Sequence, residues 1–465
     1  MKRRIDKWLP SYILDSPRRW YHRVKRRNAH THLLFLVCDH FEPRHAATSN
    51  LQGKQRVQAW SEGYAAFQLR CKAEFGTTPV HSWFYPPHHG VEHLSALSAM
   101  AFEGLGEVEL HYHHGNDTAE TLEKGLKDTI AEYNRWGLLL NSGEVLTTSF
   151  GFIHGDWALG NSGHQHHCGV NDELTILQKL GCWADLTMPS GDLCQTSKIN
   201  SIYYGIGSPQ RPKAHDHGVN VCAGSLAPPG LMMIQGPLAV NWSAEGHPRI
   251  ENASLTTENW GRPDRISKWI DCNVHVNGQP DWVFIKLHTH GAMEHDFDAL
   301  FGEKAMALHR QLNNHYNDGK KYTLHYVTAR QAFNIAKAAE QGHKGNPSDF
   351  VDFRISPPVT AFYQADGPHT LLACSKKRLH IVMIDSDKST SIRTRIGPFA
   401  VLRGKIQALE IDVDKRLIKI DGIGLIRLIR FTDVNFSIMS GGRAVSNSDS
   451  CNDIEISGLC ILSYQ

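Results

Sequence analysis

The chain has 465 residues, of which 41% are hydrophobic and 21% are charged, and its formal net charge is +2. This composition is typical of a soluble globular protein, and the small net charge argues against a general nucleic-acid binder. The length predicts two domains, since one hydrophobic core rarely grows beyond about 300 residues. Histidine is unusually frequent, with 29 residues. Because imidazole is the commonest metal ligand in proteins, a metal site is expected.

The cysteines and the hydropathy pattern bear on the cellular compartment. The ten cysteines form no Cys-x-x-Cys pair, so we expect reduced thiols rather than a disulfide framework. The sequence has no run of about 18 apolar residues and no apolar core of a secretory signal near residue 1. We therefore expect a cytoplasmic protein.

Residues 1–28 form a basic arm, with ten Lys or Arg residues against two Asp residues. Aromatic and aliphatic residues lie between the charges, as in segments that bind anionic lipid surfaces. Pro10 and Pro17 interrupt any long helix, which favours an arm packed on the following domain. Peripheral membrane contact through this arm is the alternative.

An apolar run of strand length, residues 33–38, stops at Asp39 and His40. It predicts a strand buried on both faces, and the strand and helix patterns that follow it predict a parallel sheet with right-handed crossovers. The predicted helices cover 54–75, 93–101, 118–136, 171–180 and 329–340. The predicted strands include 80–85, 145–153, 202–204, 231–234, 282–287 and 324–327, with another that begins at 106 and runs into His111.

The pattern changes after a linker at residues 342–348. Short segments of alternating polarity, such as 409–413 and 416–420, are joined by Asp, Gly and Ser turns. This pattern predicts a β-rich, sandwich-like accessory domain over residues 350–465, with no clustered histidines or acids. The chain therefore divides into the basic arm, an α/β domain over 29–345 and the accessory domain.

His-x-His pairs occur at 30/32, 111/113, 215/217 and 288/290. Residues i and i+2 of a strand face the same side, so two such imidazoles can reach one ion. The C-terminal ends of parallel strands are also where ligands collect. We expect one divalent ion at His111 and His113 together with Asp39 or His40. The alternative is that each histidine only caps a strand.

The order of these residues resembles the polysaccharide deacetylase superfamily over about residues 30–340. The resemblance lies in Asp39-His40, in the segment 111–114, in the turn 152–157 and in Leu287-His288. A narrower resemblance, to uncharacterised deacetylase-like proteins of bacterial surface-polysaccharide loci, lies in segments 152–159, 286–291 and 328–330. Some positions depart from the family pattern. His40 replaces the second acid, Gly115 stands where the second metal histidine would fall, and the turn lacks its arginine.

The resemblance implies a distorted (β/α) barrel that removes an acetyl group from a sugar or polysaccharide, with one divalent ion, zinc, as cofactor and an acetylated carbohydrate as substrate. It implies Asp39 as base, metal ligand or both, and His288 as general acid. The metal candidates are Asp39, His40, His111, His113 and His114. The candidates for substrate contact or for orienting the ligands are His154, Asp156, Trp157, Asp216 and His290. Two alternatives stay open, a dinuclear metallohydrolase of the phosphoesterase or amidohydrolase type and an inactive carbohydrate-binding scaffold.

Overall fold

A computed structural model describes residues 4–141, 147–163, 165–190, 193–242, 246–358, 362–364, 369–374, 378–383, 391–394, 397–429, 436–447 and 451–464. The chain divides into two structural units. The first comprises Met1–Gly90, Gly104–Lys127 and Ser149–Ile355, and the second comprises Val91–Glu103, Asp128–Thr148 and Ser356–Gln465. Two segments that the sequence analysis placed in the α/β domain, 91–103 and 128–148, thus lie in the second unit.

The helices, in chain order, are α1 (Ile5–Leu14), α2 (Ser16–Lys25), α3 (Asn50–Phe75), α4 (Leu94–Phe102), α5 (Ala119–Arg135), α6 (Glu173–Lys179), α7 (Pro263–Cys272), α8 (Phe297–Leu300), α9 (Glu303–Tyr316) and α10 (Ala329–Glu340). Each of the five helices predicted from the sequence is present. Helix α3 begins after Ser49, whose side chain accepts a hydrogen bond from the Gln52 N–H. Helix α10 begins with a capping box of Thr328 and Gln331. Helices α7 and α9 were not predicted.

The first fourteen strands, in chain order, are β1 (Thr31–His40), β2 (His81–Tyr85), β3 (Gly106–Tyr112), β4 (Leu140–Asn141), β5 (Thr147–Thr148), β6 (Phe150–His154), β7 (Cys182–Asp185), β8 (Ile202–Gly205), β9 (Gly218–Asn220), β10 (Leu231–Ile234), β11 (Ala239–Trp242), β12 (Pro248–Glu251), β13 (Trp282–Thr289) and β14 (Tyr322–Tyr326). Of the strand predicted over 145–153, residues 145 and 146 lie outside the described residues.

Ten of these strands form one sheet in the first unit, in the order β13-β1-β2-β3-β6-β7-β10-β8-β9, with β14 also paired to β1. The strands from β13 to β10 run parallel, which confirms the predicted parallel α/β sheet. Strands β8 and β9 run antiparallel. Among the described residues, no pairing joins β9 to β13, so the sheet is a curved half-barrel, and the full extent of the distorted (β/α) barrel that the resemblance implied is not confirmed.

Strand β1 is apolar on both faces because both faces are covered. Leu34, Leu36 and Cys38 belong to one buried cluster with residues of α10. Leu33, Phe35 and Val37 pack in another with residues of α7 and α9. Successive side chains alternate in direction, so the two residues that follow, Asp39 and His40, face opposite sides of the sheet.

The remaining strands belong to the second unit: β15 (Phe362–Gln364), β16 (His369–Cys374), β17 (Arg378–Met383), β18 (Ser391–Thr394), β19 (Gly397–Asp412), β20 (Leu417–Ile429), β21 (Phe436–Asn447) and β22 (Cys451–Tyr464). All eight form one sheet, and its pairings are antiparallel. The predicted β-rich segment is therefore present, as one hydrogen-bonded sheet. Its buried residues, among them Ile420, Ile454 and Leu462, come from alternate positions.

The basic arm forms the two short helices α1 and α2, with Pro17 in the first turn of α2. Trp8 is fully buried, whereas Leu14 is 80% and Trp20 64% exposed. Arg23 binds Asp271 at the end of α7. One side of the arm therefore packs on the rest of the first unit. The other side exposes apolar residues that lie among cations. No helix in the described part of the chain is long and apolar enough to cross a membrane.

The segment Thr328-Ala-Arg330 has a structural role. Arg330 is 2% exposed, and its guanidinium donates hydrogen bonds to both carboxylate oxygens of Glu107 on β3. The Thr328 hydroxyl donates to the same carboxylate. These hydrogen bonds hold the start of α10 against the strand that carries His111.

Candidate metal centres

Two groups of metal-ligand side chains include residues at the C-terminal ends of β1, β3 and β6. The Glu42 cluster consists of Glu42, His111 and His113, and the Cys168 cluster consists of His114, His154, Cys168 and Glu173. Within each group, one ligand atom per residue lies within 4.8 Å of every other. The two clusters share no ligand residue.

The ligand atoms of the Glu42 cluster are about as far apart as the ligands of a single metal ion. Nε2 of His113 lies 3.0 Å from Nε2 of His111 and 2.9 Å from Oε1 of Glu42, and His111 Nε2 lies 3.6 Å from the same oxygen. Tetrahedral ligands at about 2.0 to 2.1 Å from zinc stand about 3.3 Å apart. The three atoms can therefore contact a single ion.

The hydrogen bonding of His111 also fits an ion. His111 Nδ1 donates to the carbonyl of Ile153 at 2.9 Å, which leaves the Nε2 lone pair directed at the cluster. Within the described residues, His40 Nε2 is buried and has no hydrogen-bond partner, and its ring centroid lies 4.8 Å from that of His111. It is not one of the ligand atoms that can reach a single ion. The residues present fit a divalent metal.

The electrostatics of the Glu42 cluster favour a positive charge at its centre. Burial by itself would raise the pKa of Glu42, but its contacts with His111, His113 and His45 outweigh it and hold the pKa far below its usual range. Burial would lower the pKa of His113, but its contacts with Asp156 and Glu42 raise it to about 9. The carboxylate of Glu42 is therefore ionised at neutral pH, and a cation next to it is stabilised.

One side of the Glu42 cluster is open to solvent, where the His113 side chain is 27% and the Asp156 side chain 53% exposed. The Trp157 ring lies 5.5 Å from the His40 ring by centroids, and His290 Nε2 lies 3.8 Å from Glu42 Oε2. A β-carbon at Gly155 would collide with the His113 ring, so glycine is required there for the loop to approach. Solvent therefore reaches His113 and Asp156 from this side.

Asp39 lies on the face of β1 opposite His40. It is fully buried, and its carboxylate accepts hydrogen bonds from His81 Nε2 at 2.9 Å and from the Gly291 N–H at 2.6 Å. A side chain at Gly291 would collide with that carboxylate. The geometry therefore gives Asp39 a role in fixing the turn after β13, away from the Glu42 cluster.

His288 is the next-to-last residue of β13 and is paired in register with Cys38 of β1. It is 5% exposed, and its ring centroid lies 6.2 Å from that of His40 and 6.3 Å from that of Trp157. His288 thus lines the space beside the Glu42 cluster. It is absent from the group of ligand atoms within reach of one ion.

The other candidates are spread over three places. His114 and His154 belong to the Cys168 cluster. Asp216 accepts a hydrogen bond from the Ser197 N–H and belongs to neither cluster. The pair His30 and His32 lies at the opposite end of β1, where His32 bonds to His325 at 2.8 Å and has a structural role.

In the Cys168 cluster, Nε2 of His114 lies 2.9 Å from Nε2 of His154 and 3.2 Å from Oε1 of Glu173. His154 Nε2 lies 3.4 Å from the same oxygen, and Cys168 Sγ lies 3.6 Å from Glu173 Oε2. Cys168, His154 and Glu173 are fully buried. Burial would raise the pKa of Glu173, but His154 and His114 hold it at about 2.

Sequence reasoning missed Glu42, Cys168 and Glu173. A signal for Glu42 was present, since it stands two residues after His40, as His113 stands two residues after His111. Cys168 and Glu173 lie in a loop and at the start of α6, and no local pattern joins them to His114. Only the fold brings these residues together.

No protein-family model and no curated protein sequence matches the chain. Among solved structures, it is similar to a protein from Mycobacterium smegmatis assigned as a polysaccharide deacetylase, at 12% identity, TM-score 0.37 and coverage of 68% of this chain and 94% of that one. It is also similar to a protein from Parabacteroides distasonis assigned as a glycoside hydrolase or deacetylase, at 10% identity, TM-score 0.32 and coverage of 81% and 85%. Similarities at this level carry no inference about the function of this chain.

Proposed function

We propose that the chain is a metal-dependent hydrolase that removes an acetyl group from a sugar or polysaccharide. The observation that supports the hydrolase is the Glu42 cluster, with three ligand atoms 2.9 to 3.6 Å apart on a side open to solvent. A catalytic metal site needs such an open position, whereas a structural site is closed. The carbohydrate substrate is supported by the order of Asp39-His40, segment 111–114, turn 152–157 and Leu287-His288 along the chain, which resembles that of polysaccharide deacetylases.

In this proposal Glu42, His111 and His113 hold one divalent ion, and His40, which is not among these ligand atoms, lies beside them. The ion supplies Lewis-acid polarisation of an acyl carbonyl and makes water acidic enough to act near neutral pH. Asp156 lies 3.7 Å from His113 Nδ1 and orients that imidazole, as carboxylates do for ligand histidines. His288 donates a proton from its imidazole to the departing nitrogen or oxygen. Trp157 offers an apolar face for a sugar ring.

The dinuclear alternative has less support. Two-metal hydrolases hold their ions about 3.5 to 4 Å apart, so that both act on one substrate. The two clusters here share no ligand, and the ligands of the second are almost completely buried. The inactive scaffold would follow if the Glu42 cluster bound no metal.

Acetate release tests the proposed function. Purified full-length protein, incubated with acetylated oligosaccharides and polymers, is expected to release acetate, to stop when a chelator removes the ion, and to recover when a divalent ion is restored. A comparison of substrates that carry N-acetyl groups with substrates that carry O-acetyl groups shows whether an amide or an ester bond is hydrolysed. Hydrolysis of a phosphodiester without acetate release would contradict the proposal and favour the phosphoesterase alternative.

We also propose that the basic arm contacts anionic membrane surfaces. Trp20, Tyr21 and Leu14 are more than half exposed among the cations of residues 1–28, and both features strengthen binding to anionic lipid. The protein should sediment with vesicles that contain phosphatidylserine at low salt and should dissociate at high salt. Trp20→Ser should weaken this binding, and Trp242→Ser, at another tryptophan that is 60% exposed, should not. Equal binding to neutral and anionic vesicles, or no binding to either, would contradict the proposed membrane contact.

A further inference from the structure

We propose that the Cys168 cluster binds a structural zinc ion through Nε2 of His114, Nε2 of His154, Sγ of Cys168 and the carboxylate of Glu173. This site is separate from the proposed catalytic ion. Its role is to hold the loop over residues 155–172, which forms one wall of the Glu42 cluster.

The two histidines present lone pairs to the same point. His114 Nδ1 donates to Asp117 Oδ2 at 2.9 Å, and His154 Nδ1 donates to the Gly155 carbonyl. A neutral imidazole that donates from Nδ1 has a bare lone pair at Nε2. Two such lone pairs 2.9 Å apart, with a carboxylate oxygen 3.2 Å from one of them, repel each other unless a metal ion or a proton lies between them.

The set of ligands selects the ion. Zinc in proteins is bound by cysteine thiolate, histidine nitrogen and carboxylate oxygen, and structural sites are tetrahedral with four protein ligands. The thiolate disfavours Mg²⁺ and Ca²⁺, which prefer oxygen ligands. Asp117 supplies the carboxylate that typically orients a zinc-bound histidine from behind. Cys168, His114, His154 and Glu173 therefore make a complete zinc ligand set.

Burial distinguishes this site from the Glu42 cluster. The side chains of His114, His154 and Glu173 are 0 to 3% exposed, and Cys168 is fully buried, so no position is left for solvent.

The loop that the ion would hold is long and irregular. In residues 155–163 and 165–172 it contains three short 3₁₀ turns and no α-helix or strand. It carries Asp156 and Trp157, which face His113 and His40. Cys168 is anchored next to the cluster by a hydrogen bond from the Asp117 N–H to its carbonyl at 3.1 Å. A metal that joins both ends of this loop to β3 and β6 removes conformational entropy from it.

Cobalt substitution tests the site without reference to activity. The full-length protein is stripped of metal and reloaded with cobalt(II), whose bond to a thiolate gives an intense near-ultraviolet charge-transfer band. The band is expected in the wild type and in His111→Ala, which leaves the Cys168 cluster intact. It should be lost in Cys168→Ser and retained in the matched control Cys222→Ser, where the half-buried thiol lies outside both clusters.

A second variant, Asp117→Asn, keeps all four ligands. It tests the site even if Cys168→Ser does not fold. It should retain the band and lower the cobalt affinity ~10- to 100-fold, the usual effect of removing an orienting carboxylate. Absence of the band in the wild type at saturating cobalt, or its persistence in Cys168→Ser, would overturn the proposal and leave a shared proton between His114 and His154. Failure of acetate release would leave these results unaffected.

Discussion

A His111→Ala variant is expected to lose the ion of the Glu42 cluster and with it at least about 10³-fold of the acetate-releasing activity, since a catalytic metal typically contributes several kcal/mol to the transition state. His111 is 1% exposed, and its Nε2 is one of only three ligand atoms of this cluster within the described residues. Loss of one of three protein ligands weakens a zinc site more than the ~10- to 100-fold that an orienting residue costs. Elemental analysis and acetate release measure the two effects.

The matched control is His315→Ala, which removes an exposed histidine of α9 and should change neither metal content nor activity. His111→Gln keeps most of the side-chain volume and separates metal loss from a packing defect. If His111→Ala retains its full metal content while the protein stays folded, His111 does not ligate and the Glu42 cluster is not the metal site.

A His288→Asn variant is expected to keep the ion and lower turnover ~10²- to 10⁴-fold, the usual contribution of a positioned proton donor. The His288 ring lies 6.2 Å from that of His40 by centroids and is not among the three ligand atoms of the Glu42 cluster. The loss should be smaller for acetyl esters whose leaving group needs no proton. Steady-state kinetics on two substrates with different leaving groups, together with elemental analysis, measure this.

The comparison variant is His295→Asn, whose side chain is 65% exposed and which should behave as wild type. If His288→Asn loses its metal in step with its activity, and excess zinc or cobalt restores the rate, His288 is itself a ligand. That outcome would overturn the proton-donor assignment and favour the dinuclear alternative.

The sequence was a good guide to the local elements and a poorer guide to closure of the sheet. Helix α10 was predicted over residues 329–340 and forms over Ala329–Glu340, because its capping box and apolar spacing are local features. Whether a curved parallel sheet closes depends on pairings between distant strands. Strand β8 was predicted, but the antiparallel pairing of β8 and β9 at the edge of the sheet left no local signal in the sequence.

Among the site residues, the spacing of His111 and His113 determined that both face the same side, because side chains in extended chain alternate with a period of two. The same rule could not be applied to β1. Residues 33–38 are apolar at every position. The sequence therefore did not show which helices cover each face of the strand, or on which side of the sheet Asp39 and His40 lie. Their assignment needed the elements packed on each side.

By itself, the sequence therefore determined the alternation of strands and helices, the change to β structure after residue 350, and the concentration of histidines at strand ends. The tertiary structure alone decided that Asp39 turns away to Gly291, that Glu42 joins the two histidines, and that Cys168 and Glu173 meet His114 across a long loop. The physical reason is that periodicity fixes directions within one element, whereas a metal centre needs ligands from several elements, and their distances depend on packing across the whole sheet.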